Sequence, residues 1–369
     1  MVVGATLCLV SAGVSAELTK DEIAAGWINL FDGETLFGWN SLGDAAFEAS
    51  AGNIVCESGT GGQLATTSQF KDFKLSLKVR VSPEDSVGIG VRAALDGHPS
   101  ENGSAVLLVS EPKDGKGEWH TVEVEASGDN LSAMVDGKNV PLEGSRPHGY
   151  ISIHYYGHGF QSPWERRVKL AVSDVKLQPL NLQPIFNGRD LTGWNIIPGR
   201  QSVFKVVDGA LNITNGNGQI ETAGTYKDFV LQLDIISNGQ HLNSGVFYRG
   251  PVGVFWKGYE SQVRNQWQGE DRTKPVDFGT GGNYGNQPAR KVVSTDGEWF
   301  KKTIVCDGNH AAVWIDGYLA SDFTDMRPVQ KDNDGKNGYV PGPGTIHLQG
   351  HDPKTDLSFK NIVLQEYGK

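Results

Sequence analysis

LFDGETLFGWN at residues 30–40 returns as IFNGRDLTGWN at 185–195, and this repetition decides the architecture. Most of the chain downstream of the motif is repeated as well. FKDFKLSLKVRV (70–81) is answered by YKDFVLQLDIIS (226–237), and GEWHTVEVEASGDNLSAMVDGK (117–138) by GEWFKKTIVCDGNHAAVWIDGY (297–318). GYISIHYYG (149–157) is answered by GTIHLQGHD (344–352). A period this long makes two domains of one fold rather than a solenoid. The boundaries expected are 17–178 for the first copy, a Pro-containing linker at 179–184 within LQPLNLQP, and 185–369 for the second copy.

Inside each copy, FKLSLKVRV and FVLQLDI alternate with period two, which reads as half-buried antiparallel strands. VDGK and IDGY supply hairpin turns with glycine where φ must be positive. Only EIAAGWINL, starting at residue 22, looks helical. Many short strands without crossover helices predict an all-β chain of two tandem antiparallel β-sandwich domains.

Formal charge is −10 with 48 glycines and nine tryptophans, and no segment is apolar for long enough to make a membrane helix. An acidic chain without a basic stripe is a poor partner for nucleic acid or an anionic membrane, so a neutral or small polar ligand is expected. Residues 1–16, MVVGATLCLVSAGVSA, have the length and the small-residue end of a signal peptide, which predicts export to the periplasm or beyond the cell. Cys8 leaves with that segment. Cys56 and Cys306 occupy non-equivalent positions in the two copies and are expected as free buried thiols, not as a disulfide or a metal site.

The copies differ where chemistry would sit. Between the Arg of each VRA or YRG and the Trp of each GEW, the second copy is 23 residues longer (249 to 299 against 92 to 119). It is also 15 residues longer between 316 and 344 than the first is between 136 and 149. The additions hold GYESQVRNQWQGEDR, GTGGNYGNQPAR and KDNDGKNG, rich in side chains that hydrogen-bond and poor in side chains that pack. In a strand at GYESQV, Glu260 and Gln262 share one face, and in NSGVFYR Asn243 and Arg249 share one. A solvent-wetted outer face would carry the same pattern. Pairing Arg249 with Glu260 in the interior would cost more in desolvation than apolar replacements would, unless a ligand or catalysis requires it. Tyr284 and Arg290 in the Gly-rich addition, and Gln349 with His351 in LQGHD, join the candidate set. Trp256 and Trp267 flank the Glu260 strand and could stack on sugar rings, although aromatics in such places more often belong to core or rim.

Three familiar chemistries fit poorly. Two-carboxylate glycoside hydrolysis of the sandwich type wants a second acid two residues along the strand, where Gln262 stands. Zinc spacings and Gly-x-Ser-x-Gly are absent from the sequence. Asp332-Asn-Asp334-Gly lacks the rest of a calcium loop and reads as a turn.

The set IFNGRDLTGW, NSGVFYR, GYESQ, GTGGNYG, GEWF, IDGY, GTIHLQGH and FKNIVL resembles the 3-keto-disaccharide hydrolase family, which has the concanavalin-like lectin and glucanase jelly roll. The resemblance covers 184–368 well. The first copy, 25–178, shares the scaffold strands and departs at every polar motif. The resemblance implies an exported enzyme acting on 3-keto-glycosides, with a glycoside 3-dehydrogenase upstream. A ketone at C3 acidifies the C2 proton, so one base suffices: it removes that proton, the enolate expels the C1 aglycone, and water adds to the double bond. Glu260 or His351 would be the base, and Tyr284 or His351 would assist the leaving oxygen. Arg249, Arg290, Asn243 and Gln262 would hold the enolate and hydroxyls, with Gln349, Trp256 and Trp267 completing the substrate set. No cofactor is indicated, and a divalent metal is left open. A carbohydrate-binding module and a conventional glycoside hydrolase are the competing expectations. The first copy is expected to be a non-catalytic companion that packs against the second or walls its pocket.

Overall fold

The structure, a computed structural model, describes residues 17–97, 99–156 and 169–368. The stretch 1–16 read as a signal peptide lies outside the described residues. Each copy forms a sandwich of a larger and a five-stranded antiparallel sheet. In the first, the larger sheet runs from Lys138–Val140 through Asn130–Val135, His120–Ser127, Phe73–Val81, Leu170–Pro179 and Asn53–Cys56 to Phe47–Ser50. Its five-stranded sheet is ordered Trp39–Gly43, Gly62–Phe70, Gly149–Tyr155, Ser86–Ala93, Ala105–Ser110. The second repeats this topology, with a five-stranded sheet ordered Trp194–Ile196, Gly218–Thr222, Thr345–Gly350, Ser244–Gly250, Tyr259–Val263. Tandem jelly-roll sandwiches are what the alternating strands and Asp-Gly turns demand.

The helix expected near residue 22 is one short segment, Lys20–Ala25, closed by a Thr19–Glu22 capping box and by Gly26 at φ 90°. The expected linker is not a free tether. Strand Leu170–Pro179 runs to Pro179, whose partner is Phe73, and Gln183–Pro184 already pairs with Asp356–Glu366, leaving only 180–182 between sheets. Cys56 and Cys306 are both buried and unpaired.

The first sandwich packs on the back of the second. Val230, Val305, Ala312 and Trp314, on the outer face of the second copy's larger sheet, belong to the same apolar cluster as the first copy's core. Trp314 Nε1 donates to Asn29 O at 2.9 Å, and Gln365 Nε2 donates to Asp72 Oδ2 at 2.9 Å. The second copy's five-stranded sheet is therefore turned away from its companion, and the first sandwich packs behind it instead of walling that face.

Both sandwiches share an arginine latch. Arg249 sits at φ 52° in a register shift between Phe247 and Gly250, and Arg92 sits at φ 48° in the equivalent shift. The bulge breaks the alternation that would have carried the side chain onto the Glu260 face. Arg249 donates instead to the carbonyls of Lys227, Gly308 and Val340 and to Asp228 Oδ1 at 2.9 Å, with 1% of its surface exposed. Arg92 repeats the set on Lys71, Gly128, Arg146 and Asp72. The sequence-based assignment of Arg249 to substrate is thus corrected: its guanidinium ties loops together in both copies. Removing it strands three buried carbonyls and a carboxylate, so Arg249→Met is expected to destabilise the chain by about 3–5 kcal/mol in urea unfolding. A loss below about 1 kcal/mol would contradict the latch.

Candidate functional site

The five-stranded sheet of the second copy has an apolar face and a polar face, both buried. Val246, Tyr248, Tyr259, Val263, Ile346, Leu348 and Ile220 point into the core. The opposite parity carries Glu260 and Gln262, Gly245 and Phe247, His347 and Gln349, and Gln219 and Glu221. Register aligns them in rows: Glu260 opposite Phe247, Phe247 opposite His347, His347 opposite Glu221; and Gln262 opposite Gly245, Gln349 opposite Gln219. A solvent-wetted face would be exposed, yet Glu260 is only 3% accessible and Gln219, Gln262 and His347 are fully buried.

The two additions supply the cover. Edge strand Tyr259–Val263 is hydrogen-bonded along its outer side to the Gly-rich segment: Gln262 N–H to Gly282 O, Gly281 N–H to Gln262 O, Tyr284 N–H to Glu260 O. Asp277 from the same addition receives Asn243 Nδ2 at 3.0 Å, Gln262 Nε2 at 3.2 Å and Arg264 Nη1 at 3.2 Å. The second addition brings Lys336, whose Nζ lies 4.5 Å from the Trp256 ring and 5.7 Å from the Phe247 ring. Asp332 and Asp334, read as a turn, hold Lys257 at 2.8 and 3.0 Å.

Four buried polar atoms on this face have no partner: Glu260 Oε2, Asn243 Oδ1, Gln349 Oε1 and Gln219 Nε2. Each costs about 1–3 kcal/mol to leave unsatisfied, and all four lie on one sheet face. Glycine permits the arrangement, since a Cβ on Gly245 would come within 2.4 Å of Glu260 Oε1 and one on Gly250 within 2.5 Å of His347 Nε2. Burial pushes the Glu260 carboxyl up to about 8; Asp277 adds to the rise, while Lys336, Lys302 and Trp256 oppose it.

Lys302 crosses the sandwich interior beneath this strand. Its Nζ donates to Ser261 O at 3.0 Å, Ser261 Oγ at 2.9 Å and Gln262 O at 2.8 Å, using all three ammonium donors with no exposed surface. Burial holds that ammonium well below its usual value, with Glu260 opposing.

A second cluster lies along the same row. Thr345 Oγ1 is 2.6 Å from His347 Nε2 and donates to Glu221 Oε2 at 3.0 Å; His347 Nδ1 is 3.3 Å from Gln219 Oε1. Burial raises the Glu221 carboxyl, but hydrogen bonds from His347, the Gly253 amide and Thr345 carry it to a net value below the usual range. Gln219 also accepts the Trp256 amide at 2.7 Å, which fastens the 251–257 loop over the sheet.

The structure gathers Glu260, Asn243, Gln262 and Gln349, with Tyr284 and Trp256 at the rim, where Trp256 is 45% exposed. Burial, Asp277 and Glu260 all raise the Tyr284 phenol. Three other expectations need correction. His351 lies beyond the end of strand Thr345–Gly350, about half exposed and 3.6 Å from Asp352, so it does not join the cluster. Arg290 leaves the face to clamp the first copy, with Nη2 2.8 Å from Asp32 Oδ2 and 3.0 Å from Thr35 Oγ1. Trp267 sits in a separate hairpin, its ring covered by the Arg272 guanidinium at 4.1 Å. His347, Glu221, Gln219 and Lys302 were missed. The parity that singled out Gln349 includes His347, and GQIET at 218–222 alternates in the same way; Lys302 carries no local signal because Lys301 beside it is an ordinary outward lysine paired with Asp234.

The family described as the 3-keto-alpha-glucoside-1,2-lyase-like domain matches residues 26–142 and 181–365. No curated protein matches the chain. Among solved structures, a candidate glycosyl hydrolase from Parabacteroides distasonis is 22% identical with a TM-score of 0.41, covering 50% of this chain and 93% of its own. The carbohydrate-binding module CBM66 from Bacillus subtilis is 13% identical with a TM-score of 0.35, covering 47% and 96%. The exoplasmic/lumenal domain of VIP36, bound to Ca2+ and Man3GlcNAc, is 11% identical with a TM-score of 0.34, covering 50% and 90%.

Glu260 makes stability depend on pH in a defined direction. Its proton is held in the folded state up to about 8 and lost near 4.5 in the unfolded chain, so the folded state binds more protons between those values and its stability falls as pH rises through the window. Glu260→Gln stays neutral throughout. Urea unfolding should show the variant gaining roughly 2–5 kcal/mol on wild type between pH 5 and pH 9. A difference that does not change with pH would contradict the raised carboxyl.

Proposed function

Taking as premise that the chain belongs to the 3-keto-alpha-glucoside-1,2-lyase-like domain family, we propose that its second sandwich cleaves 3-keto-glycosides by proton abstraction and elimination. The family supports a carbohydrate-active, glycoside-processing role. The observation that carries the finer reading is the buried carboxyl of Glu260, which unlike Glu221 keeps an unpartnered oxygen, with unpartnered amide atoms around it.

One base is enough when the sugar carries a ketone at C3. Glu260 takes the C2 proton, electron density moves onto the C3 oxygen, and the C1–O bond breaks as the enolate collapses; water then adds across the new double bond. A carboxyl pushed up to about 8 by burial is largely protonated at neutral pH and more of it is ionised as pH rises, and once ionised it matches a weakly acidic C–H better than an ordinary glutamate would. Gln349, Asn243 and Gln219 offer neutral polar groups to the sugar hydroxyls. Lys336 is held against Trp256 and Phe247, and its ammonium is suited to the developing enolate oxygen. Tyr284 at the rim is the donor for the leaving oxygen, its phenol kept protonated by burial.

Two-carboxylate hydrolysis is disfavoured by spacing. Glu221 stands three strands from Glu260, about 14 Å by strand separation, beyond the ~5–9.5 Å such enzymes use. Asp277 is nearer in the field of Glu260 but is tied up by Asn243, Gln262 and Arg264. In this reading the protein is exported, follows a glycoside 3-dehydrogenase, and carries its first sandwich as a non-catalytic companion.

Turnover of a 3-keto-glucoside should rise with pH to a plateau above about 8, and Glu260→Gln should lower kcat/KM by roughly 10²–10⁴. An ordinary glucoside should not be cleaved. Cleavage of the unoxidised sugar would instead favour the conventional hydrolase, and binding of both sugars with cleavage of neither would favour the binding module.

A further inference from the structure

The first sandwich has its own sheet face at the register positions that form the site in the second, and there the chemistry has been replaced. Val106 and Leu108 pair with Gly90 and Gly88 where Glu260 and Gln262 pair with Phe247 and Gly245. Ser152 and His154 pair with Ala65 and Gln63 where His347 and Gln349 pair with Glu221 and Gln219. Every carboxylate of the second face is gone. Gln63 is retained from Gln219, and His154 and Tyr156 are new.

These groups form a built surface. Gly88 and Gly90 lack side chains where the rings lie: a Cβ on Gly88 would meet Tyr156 Oη at 2.4 Å, and one on Gly90 would meet Ser152 Oγ at 2.0 Å and His154 Nε2 at 2.9 Å. The His154 and Tyr156 rings stack at 6.2 Å and 24°, and His154 Nε2 is 2.8 Å from Ser152 Oγ. Gln63 donates Nε2 to Leu95 O at 3.3 Å, which fixes its amide; its Oε1 is buried without a partner. A cleft of about 510 Å³ opens over Gln63, His154 and Tyr156, within the range of roughly 300–1,000 Å³ usual for small-molecule sites. No Asp, Glu, Lys or Arg lines it among the described residues. Burial also drives His154 down to about 4, which leaves the ring neutral in ordinary solution.

Among the described residues the cleft offers an aromatic platform and a fixed amide and no charged side chain, a lining suited to an uncharged ligand. It matches a neutral polyol with an apolar ring face. We infer that the first sandwich binds an unoxidised, neutral hexose unit in the cleft over Gln63, His154 and Tyr156, without turning it over. The hexose stacks on the Tyr156 ring and gives a hydroxyl proton to Gln63 Oε1. The site lies on a different sheet from Glu260, so a glycan held there keeps the chain on its source while the second sandwich works on oxidised units.

The test titrates the full chain with cellobiose and maltose by calorimetry or saturation-transfer NMR. Wild type and Glu260→Gln should bind at least one of them equally. Tyr156→Ala and Gln63→Ala should each weaken that binding at least tenfold while leaving the melting temperature, and any turnover of a 3-keto-glucoside, unchanged. Tyr156 is 47% exposed, so its truncation is not expected to compromise folding. The inference is overturned if neither disaccharide binds, or if binding survives both substitutions, or if it vanishes in Glu260→Gln. Failure of the keto-sugar chemistry would show in turnover alone and would leave these titrations unaffected.

Discussion

A carboxyl buried without a counter-ion binds its proton more tightly, and the second sandwich is organised around one such group. Glu260 lies on an edge strand whose own side chains cannot satisfy it, over a glycine that yields space. Keeping it there requires the strand to be held rigidly from three directions. The Gly-rich addition bonds the strand's outer edge, Ser244–Gly250 bonds its inner edge, and Lys302 reaches through the core to its carbonyls. The apolar face beneath, with Tyr248 stacked on Tyr259 at 5.3 Å, supplies the burial that offsets the unsatisfied polar atoms above.

The duplication separates scaffold from chemistry within one molecule. Both copies keep the arginine latch onto the aspartate of KDF, the glycine at 88 or 245, and the same strand order. What only the second copy has is the buried polar set and the lysine beneath it; Val122 occupies in the first core the place that Lys302 takes in the second. A buried lysine is costly where a valine suffices, and its confinement to the copy carrying Glu260 ties that cost to the strand it supports.

The sandwiches were legible because strand parity and Asp-Gly turns are local signals that tertiary packing did not override. Parity also found Glu260, Gln262, Asn243 and Gln349. It failed at Arg249, where a bulge with positive φ reverses the side chain, and bulges leave no reliable trace in hydropathy. It failed at His351 because the strand ends one residue earlier, at Gly350. Arg290 escaped for a different reason: its partner Asp32 is 258 residues away, in a motif whose only local signal is the repeat itself. Lys302 acts across the sandwich, and no sequence window spans both sheets.

Elimination depends on removal of the hydrogen at C2, and solvent labelling reports that step directly. A 3-keto-glucoside cleaved in D2O should yield a 3-keto-glucose carrying deuterium at C2, because that position is reprotonated from solvent when water adds to the double bond. Cleavage that leaves the original hydrogen at C2 would contradict elimination and, with it, the role given to Glu260.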